Sequence, residues 1–174
     1  MLSRWIKHDL KPLQTGLQWL WVTIIFIVVD QATKLYAVYY FNEVVGVNAV
    51  VEVMPHFNFV LRYNPGAAFS FLADQGGWQV VFFSSVSILV SIALIIWLYS
   101  LSAKQKWLSL SLSFILAGAI GNLIDRIRIE KVVDFIDWYY GSYHWPAFNI
   151  ADSVIMLGAV MMLLDGFFNK VEEE

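Results

Sequence analysis

Residues 78–101 read WQVVFFSSVSILVSIALIIWLYSL, a run without a single charged side chain. A helix needs about 20 consecutive apolar residues to cross the hydrocarbon core of a bilayer. This stretch is therefore a membrane span, and the rest of the chain must be read with lipid as part of its solvent. Composition agrees. Of 174 residues, 59% are hydrophobic and 14% charged, whereas ordinary soluble domains are about a quarter charged.

Working outward, three more apolar runs reach spanning length, at about 19–41, 107–126 and 148–168. Trp19, Trp21, Trp78, Trp97, Tyr99, Trp107 and the cluster from Trp138 to Trp145 mark their ends. Amphipathic rings favour headgroup depth, so these positions fit interfacial belts. The expectation is a membrane all-α fold of four transmembrane helices in a single domain over residues 1–174. The start of the chain, with Arg4, Lys7 and Lys11 before an apolar run, resembles a cleavable leader. No small-residue cleavage site follows, so it reads as an uncleaved first helix. The N-terminal cations favour both termini on the cytoplasmic side.

Between the first two spans, about 42–77, the pattern changes. Val44 to Val51 and Phe57 to Tyr63 are β-branched and aromatic with partial alternation, which predicts strands. Asn64-Pro65-Gly66 is a turn signal. A small sheet on the outer surface is expected, with residues between the third and fourth spans forming a loop or short helix.

Several functions are excluded by what the sequence lacks. The chain has no Cys, so thiolate metal sites, disulfides and Cys nucleophiles do not arise. No basic face for nucleic acid is visible. The net charge of −3 is matched by Glu172, Glu173 and Glu174 alone. His8, His56 and His144 are scattered and show no zinc spacing. His144 with Asp134 and Asp152 is the one conceivable metal set, and a surface role suits His144 better. No metal or cofactor is expected.

Chemistry is carried by acids inside or beside the apolar runs: Asp30, Asp125, Asp134, Asp137, Asp152 and Asp165. Carboxylates at membrane depth are costly and mark function by default. Asp134, in Val132-Val133-Asp134-Phe135-Ile136, and Asp152, in Phe148-Asn149-Ile150-Ala151-Asp152-Ser153, are lone acids separated by a short loop. Asp152 falls in the first turns of the fourth helix, where unpaired N–H groups favour negative charge. Apolar neighbours raise the proton affinity of Asp134. Two carboxylates brought together can share a proton, which is the chemistry of an aspartic protease.

Asn122, Asp125 and Arg126 share a helix face by their spacing, next to the small residues Ala117, Gly118, Ala119 and Gly121 that permit close helix approach in lipid. Asp30 and Lys34 stand i, i+4 and are expected to neutralise each other. A Ser-Lys protease built from Lys34 and Ser70 is an alternative, weakened because Lys34 already has an acidic partner.

Five blocks now stand in order: Asp30-Gln31-Ala32-Thr33-Lys34, Arg62-Tyr63-Asn64-Pro65-Gly66-Ala67-Ala68-Phe69, Gly121-Asn122-Leu123-Ile124-Asp125-Arg126, Val132-Val133-Asp134-Phe135 and Phe148-Asn149-Ile150-Ala151-Asp152-Ser153. With these the chain resembles the lipoprotein signal peptidases, the type II signal peptidases of bacteria. The resemblance runs from Asp30 to Asp165 without departure at a motif position. It implies an aspartic endopeptidase of the cytoplasmic membrane that removes the signal peptide from diacylglyceryl-modified prolipoproteins, cutting just before the lipidated cysteine. It implies Asp134 and Asp152 as the catalytic pair. Asn64, Gly66, Asn122, Arg126 and Asn149 are implied as substrate-binding or dyad-supporting, and Asp30, Lys34 and Asp125 as structural support. It further implies a site on the periplasmic side, membrane lipid as surroundings, a monomer, no cofactor, and inhibition by the cyclic peptide globomycin.

Two other classes compete. A proton-coupled transporter would use intramembrane acids as a relay, but the second span carries no charge and the acids gather toward one face. A non-catalytic scaffold would leave the costly Asn-Asp-Arg clusters without purpose.

Overall fold

Four helices carry the four apolar runs. The computed structural model describes residues 14–66 and 76–171, with side chains through residue 167. Arg4, Lys7, Lys11, Ala67, Ala68, Phe69, Ser70 and the terminal glutamates lie outside the described residues, so the Ser-Lys alternative has no structural account. A 3₁₀ turn at Gly16–Trp19 leads into α1, Leu20–Tyr40, which continues as a π-helical turn at Phe41–Val45. Helix α2 is Trp78–Ser100, α3 is Lys106–Ile129 and α4 is Ile150–Val171. Each is long and apolar enough to cross a membrane; the 23 residues of α2 extend about 34 Å at 1.5 Å per residue.

Burial is inverted relative to a soluble protein. Val81, Leu89 and Ile96 of α2 lie exposed, while Ser109, Ser111, Ser113, Asn122 and Asp125 of α3 are buried. Helix α3 is the central post, packed by α1, α2 and α4. In lipid such packing relies on close van der Waals fit rather than on escape from water. Gly118 and Gly121 allow it: a Cβ on Gly118 would run into the Ala151 carbonyl, and one on Gly121 would lie 2.7 Å from Asp30 Oδ2. The two small residues therefore let α4 and α1 come against α3 at the level of the acids.

The remaining strands are more extensive than the sequence suggests. β1, Val51–Met54, and β2, Phe57–Asn64, are joined by β3, Val132–Tyr140, and β4, Tyr143–His144, in an antiparallel sheet of order β1-β2-β3-β4. The segment read as a loop or short helix is thus half of the sheet, and of the run expected as a strand, residues 44–45 end the π-helical turn and 46–50 are loop. Phe41, Leu61 and Val133 form the core beneath it. The sheet is fed by the C-terminal ends of α1 and α3 and returns to the N-terminal ends of α2 and α4, so it caps one end of the bundle. A register shift between Phe59 and Arg62 sets Arg62 opposite Asp134 and Asn58 opposite Asp137. Such a bulge re-aims side chains where a sheet borders a site.

Candidate active site

Helix α4 begins with a reciprocal cap. Asp152 N donates to Asn149 Oδ1 at 3.0 Å, and Asn149 N donates to Asp152 Oδ2 at 3.3 Å. This is a capping box, in which residues at the N-cap and third helical position satisfy each other's orphan N–H groups. It holds the Asp152 carboxylate at the helix mouth. Between them, Ala151 N donates to Asp30 Oδ1 at 2.8 Å, so α1 supplies an acceptor for a further orphan group of the α4 start.

Asp134 reaches the same point from β3. Asn149 Nδ2 donates to Asp134 Oδ1 at 2.7 Å and to Val133 O at 3.2 Å. Asn64 Nδ2, at the end of β2, donates to Asp134 Oδ2 at 3.2 Å. Asn122 Nδ2 donates to Asp152 Oδ1 at 2.8 Å. Asn149 thus touches both acids. All four carboxylate oxygens accept an N–H, three from asparagine amides and one from the Asn149 backbone.

Asp134 is only 3% exposed. Burial pushes its carboxyl up from 3.8 to about 7, with the nearby Asp152 charge adding to the rise. The Asn64 and Asn149 amides and the Lys34 ammonium pull the other way. Two like charges this close resist joint ionisation, so the pair favours holding one proton between them.

Beneath the pair lies a fully buried ion cluster. Lys34 Nζ reaches Asp30 Oδ2 at 2.9 Å, Asp125 Oδ2 at 3.1 Å and Asn122 Oδ1 at 2.9 Å. Val133 N donates to Asp125 Oδ2 at 3.1 Å. The cluster therefore ties α1 and α3 to the starts of β3 and α4. Removing one partner of such a buried group typically costs about 3–5 kcal/mol, because a charge is left unpaired.

Arg126, one turn above Asn122, donates through a terminal nitrogen to Gly66 O at 3.1 Å, and its guanidinium lies 5.6 Å from the Phe83 ring centre. Its buried Nε has no hydrogen-bond partner among the described residues. Asn64 Oδ1 accepts from Gly66 N at 2.9 Å, the Asx turn that Asn64-Pro65-Gly66 announces. A cleft of about 470 Å³, lined by Arg62, Asn64, Asp134, Asp137, Trp145 and Pro146 among others, opens over Asp134.

Every residue expected at the site is in this assembly: Asp134, Asp152, Asn64, Gly66, Asn122, Arg126, Asn149, Asp30, Lys34 and Asp125. Asp125, on the same face as Arg126, bonds Lys34, Gln31 and Val133. His144 does not face the two acids as a metal ligand would; its Nδ1 binds Asp137 at 2.9 Å, and Asn58 Nδ2 binds Asp137 at 2.9 Å. Asp165 lies far along α4. Gln31 was not anticipated: its Nε2 donates to Asp30, Gly121 O and Asp125. Its place directly after Asp30 carries no periodic signal. Phe83 was hidden among lipid-facing aromatics.

Comparison with known proteins follows the same lines. The family described as signal peptidase (SPase) II matches residues 22–168. A lipoprotein signal peptidase of Aeromonas hydrophila is 47% identical over 161 residues, covering 92% of this chain and 95% of the relative. One from Pseudomonas putida is 47% identical over 160 residues, covering 91% of each. A bacterial membrane enzyme solved by the in meso method at 2.3 Å resolution superposes with a TM-score of 0.78 at 28% identity, over 90% of this chain and 92% of that one.

Proposed function

Because this chain belongs to the signal peptidase II family, we propose that it is an aspartic endopeptidase that removes signal peptides from diacylglyceryl-modified prolipoproteins, with Asp134 and Asp152 as the catalytic pair. The observation that supports this assignment is the meeting of the two carboxylates across Asn149, from β3 and from the first turn of α4. A pair sharing one proton has a base and an acid together. The ionised carboxylate takes a proton from water as its oxygen attacks the scissile carbonyl carbon. The protonated one gives its proton to the carbonyl oxygen. Collapse of the tetrahedral species breaks the C–N bond as the leaving nitrogen is protonated. All of this uses the chain's own carboxyl groups.

The asparagines hold the carboxylates in place, and Arg126 is tied to Gly66 O beside them. The substrate is itself a membrane segment, so it enters sideways from lipid. Exposed aliphatics on the spans give its acyl chains a surface of matching polarity. Relative to water each acyl CH₂ in the bilayer contributes about 0.8 kcal/mol, so two chains keep the lipidated cysteine at membrane depth. An anchor far from the scissile bond then helps to position it. Both termini face the cytoplasm, the sheet and the acids face the periplasm, the working unit is a monomer, and a globomycin-type cyclic peptide occupies the same cleft.

The test is cleavage of one prolipoprotein with and without its diacylglyceryl group by purified protein. Rapid cut of the lipidated form and little of the other is expected. Equal rates would sink the lipid requirement, and no cleavage of either would sink the assignment.

A further inference from the structure

We propose that Lys34 is a positioning residue: it fixes which way the Asn122 amide points, and so which atom Asn122 presents to Asp152. The inference rests on the assignment of Asp134 and Asp152 as the working pair.

Three asparagine side chains donate to the two acids, and in each the oxygen is claimed by a donor on the other side. Asn149 Oδ1 accepts Asp152 N, and Asn64 Oδ1 accepts Gly66 N. Those two are oriented by backbone. Asn122 differs. Its Oδ1 accepts from Lys34 Nζ at 2.9 Å and from Asn149 Nδ2 at 3.2 Å, and its Nδ2 then points at Asp152 Oδ1 at 2.8 Å. Turning the amide over would set an NH₂ against an ammonium and another NH₂. It would also set a carbonyl against a carboxylate. In a water-poor interior each mismatch leaves an unpaired polar group, costly in itself.

An ion pair would suffice if Lys34 only neutralised charge. The ammonium has three N–H bonds, and three acceptors surround it: Asp30, Asp125 and the Asn122 oxygen. With Lys34 wholly buried, no water competes for the third. That third N–H reaches the site. Because Asn149 Nδ2 is shared among Asn122 Oδ1, Val133 O and Asp134 Oδ1, the same orientation bears on the donor to Asp134.

The test keeps the cluster's net charge constant. Lys34→Met with Asp125→Asn removes one cation and one anion, and the new amide oxygen still accepts Val133 N. The variant is expected to fold with a lowered melting temperature, since Asp30 keeps only the Ala151 and Gln31 N–H groups, and to keep KM within about twofold. Its kcat should fall about 100-fold, the scale of losing one preorganised donor. A merely structural Lys34 would leave kcat unchanged once the fold is kept. A folded variant with kcat within about threefold of wild type therefore overturns the inference. If this variant does not fold, Lys34→Met with Asp30→Asn asks the same question from the other carboxylate, with the same two outcomes. Failure of the wild-type protein to cleave lipidated substrate would strike the assignment of function instead.

Discussion

Asn149 and Asp152 cap each other, side chain to backbone in both directions, so an acid proposed to do chemistry is also part of the start of its own helix. Its position is set by the same bonds that begin α4. Asn149→Ala removes this cap, worth about 1 kcal/mol, together with the 2.7 Å donor to Asp134. We expect a modest fall in melting temperature and a drop in kcat of about 100-fold. Differential scanning fluorimetry in detergent beside a cleavage assay separates the two effects.

Asp134→Asn and Asp152→Asn keep shape and lose the ionisable group. Either should lower cleavage at least about a thousandfold with the protein still inserted, since both proton steps need the pair. Robust processing by purified Asp134→Asn would end the aspartic assignment.

Stability should depend on pH through Asp134. Its folded pKa of about 7 stands above its ordinary 3.8. Between those values the folded protein holds a proton that the unfolded chain has released. Stability is therefore highest at the acid end of that window, falls as pH rises from about 4 to about 7, and levels off above. A shift of this size corresponds to about 4 kcal/mol. Thermal unfolding across this range should lose most of its slope in Asp134→Asn. An identical slope in the variant would place the titration elsewhere. Activity should fall above about pH 7, where the pair loses its shared proton.

Arg126→Lys retains charge and loses the planar fork. The bond to Gly66 O and the contact over Phe83 are made by one broad guanidinium, and a lysine's compact ammonium cannot hold both in the same geometry. Cleavage should drop about tenfold or more. Wild-type turnover would mean that charge alone is used.

Much of this architecture was readable because lipid imposes simple rules. Residues 78–101 could only be a span, and Asn149 three places before Asp152 already had the spacing of a cap. The acids were conspicuous because their neighbours were apolar. What stayed hidden is β3. Residues 132–135 are buried in sequence, being enclosed by the sheet, α1 and α3 rather than lying half in water. The alternation that betrays a strand is therefore absent. The pairing of Asp137 with His144 depends on the β3–β4 hairpin and was invisible for the same reason. The acids' convergence was expected. Asn64, Asn122 and Asn149 were implied as supports, but which carboxylate oxygen each amide meets depends on angles that spacing does not encode.

β3 and α4 follow one another in the chain, and the two acids they carry come together only when both are in place. Lys34, Asn64 and Asn122 are laid down earlier, on α1, β2 and α3. During synthesis the supporting half of the site is therefore built before either acid has reached it, and α4 completes the constellation. A chain without α4 would hold Asp134 with neither Asp152 nor the Asn149 amide beside it, and would be inert.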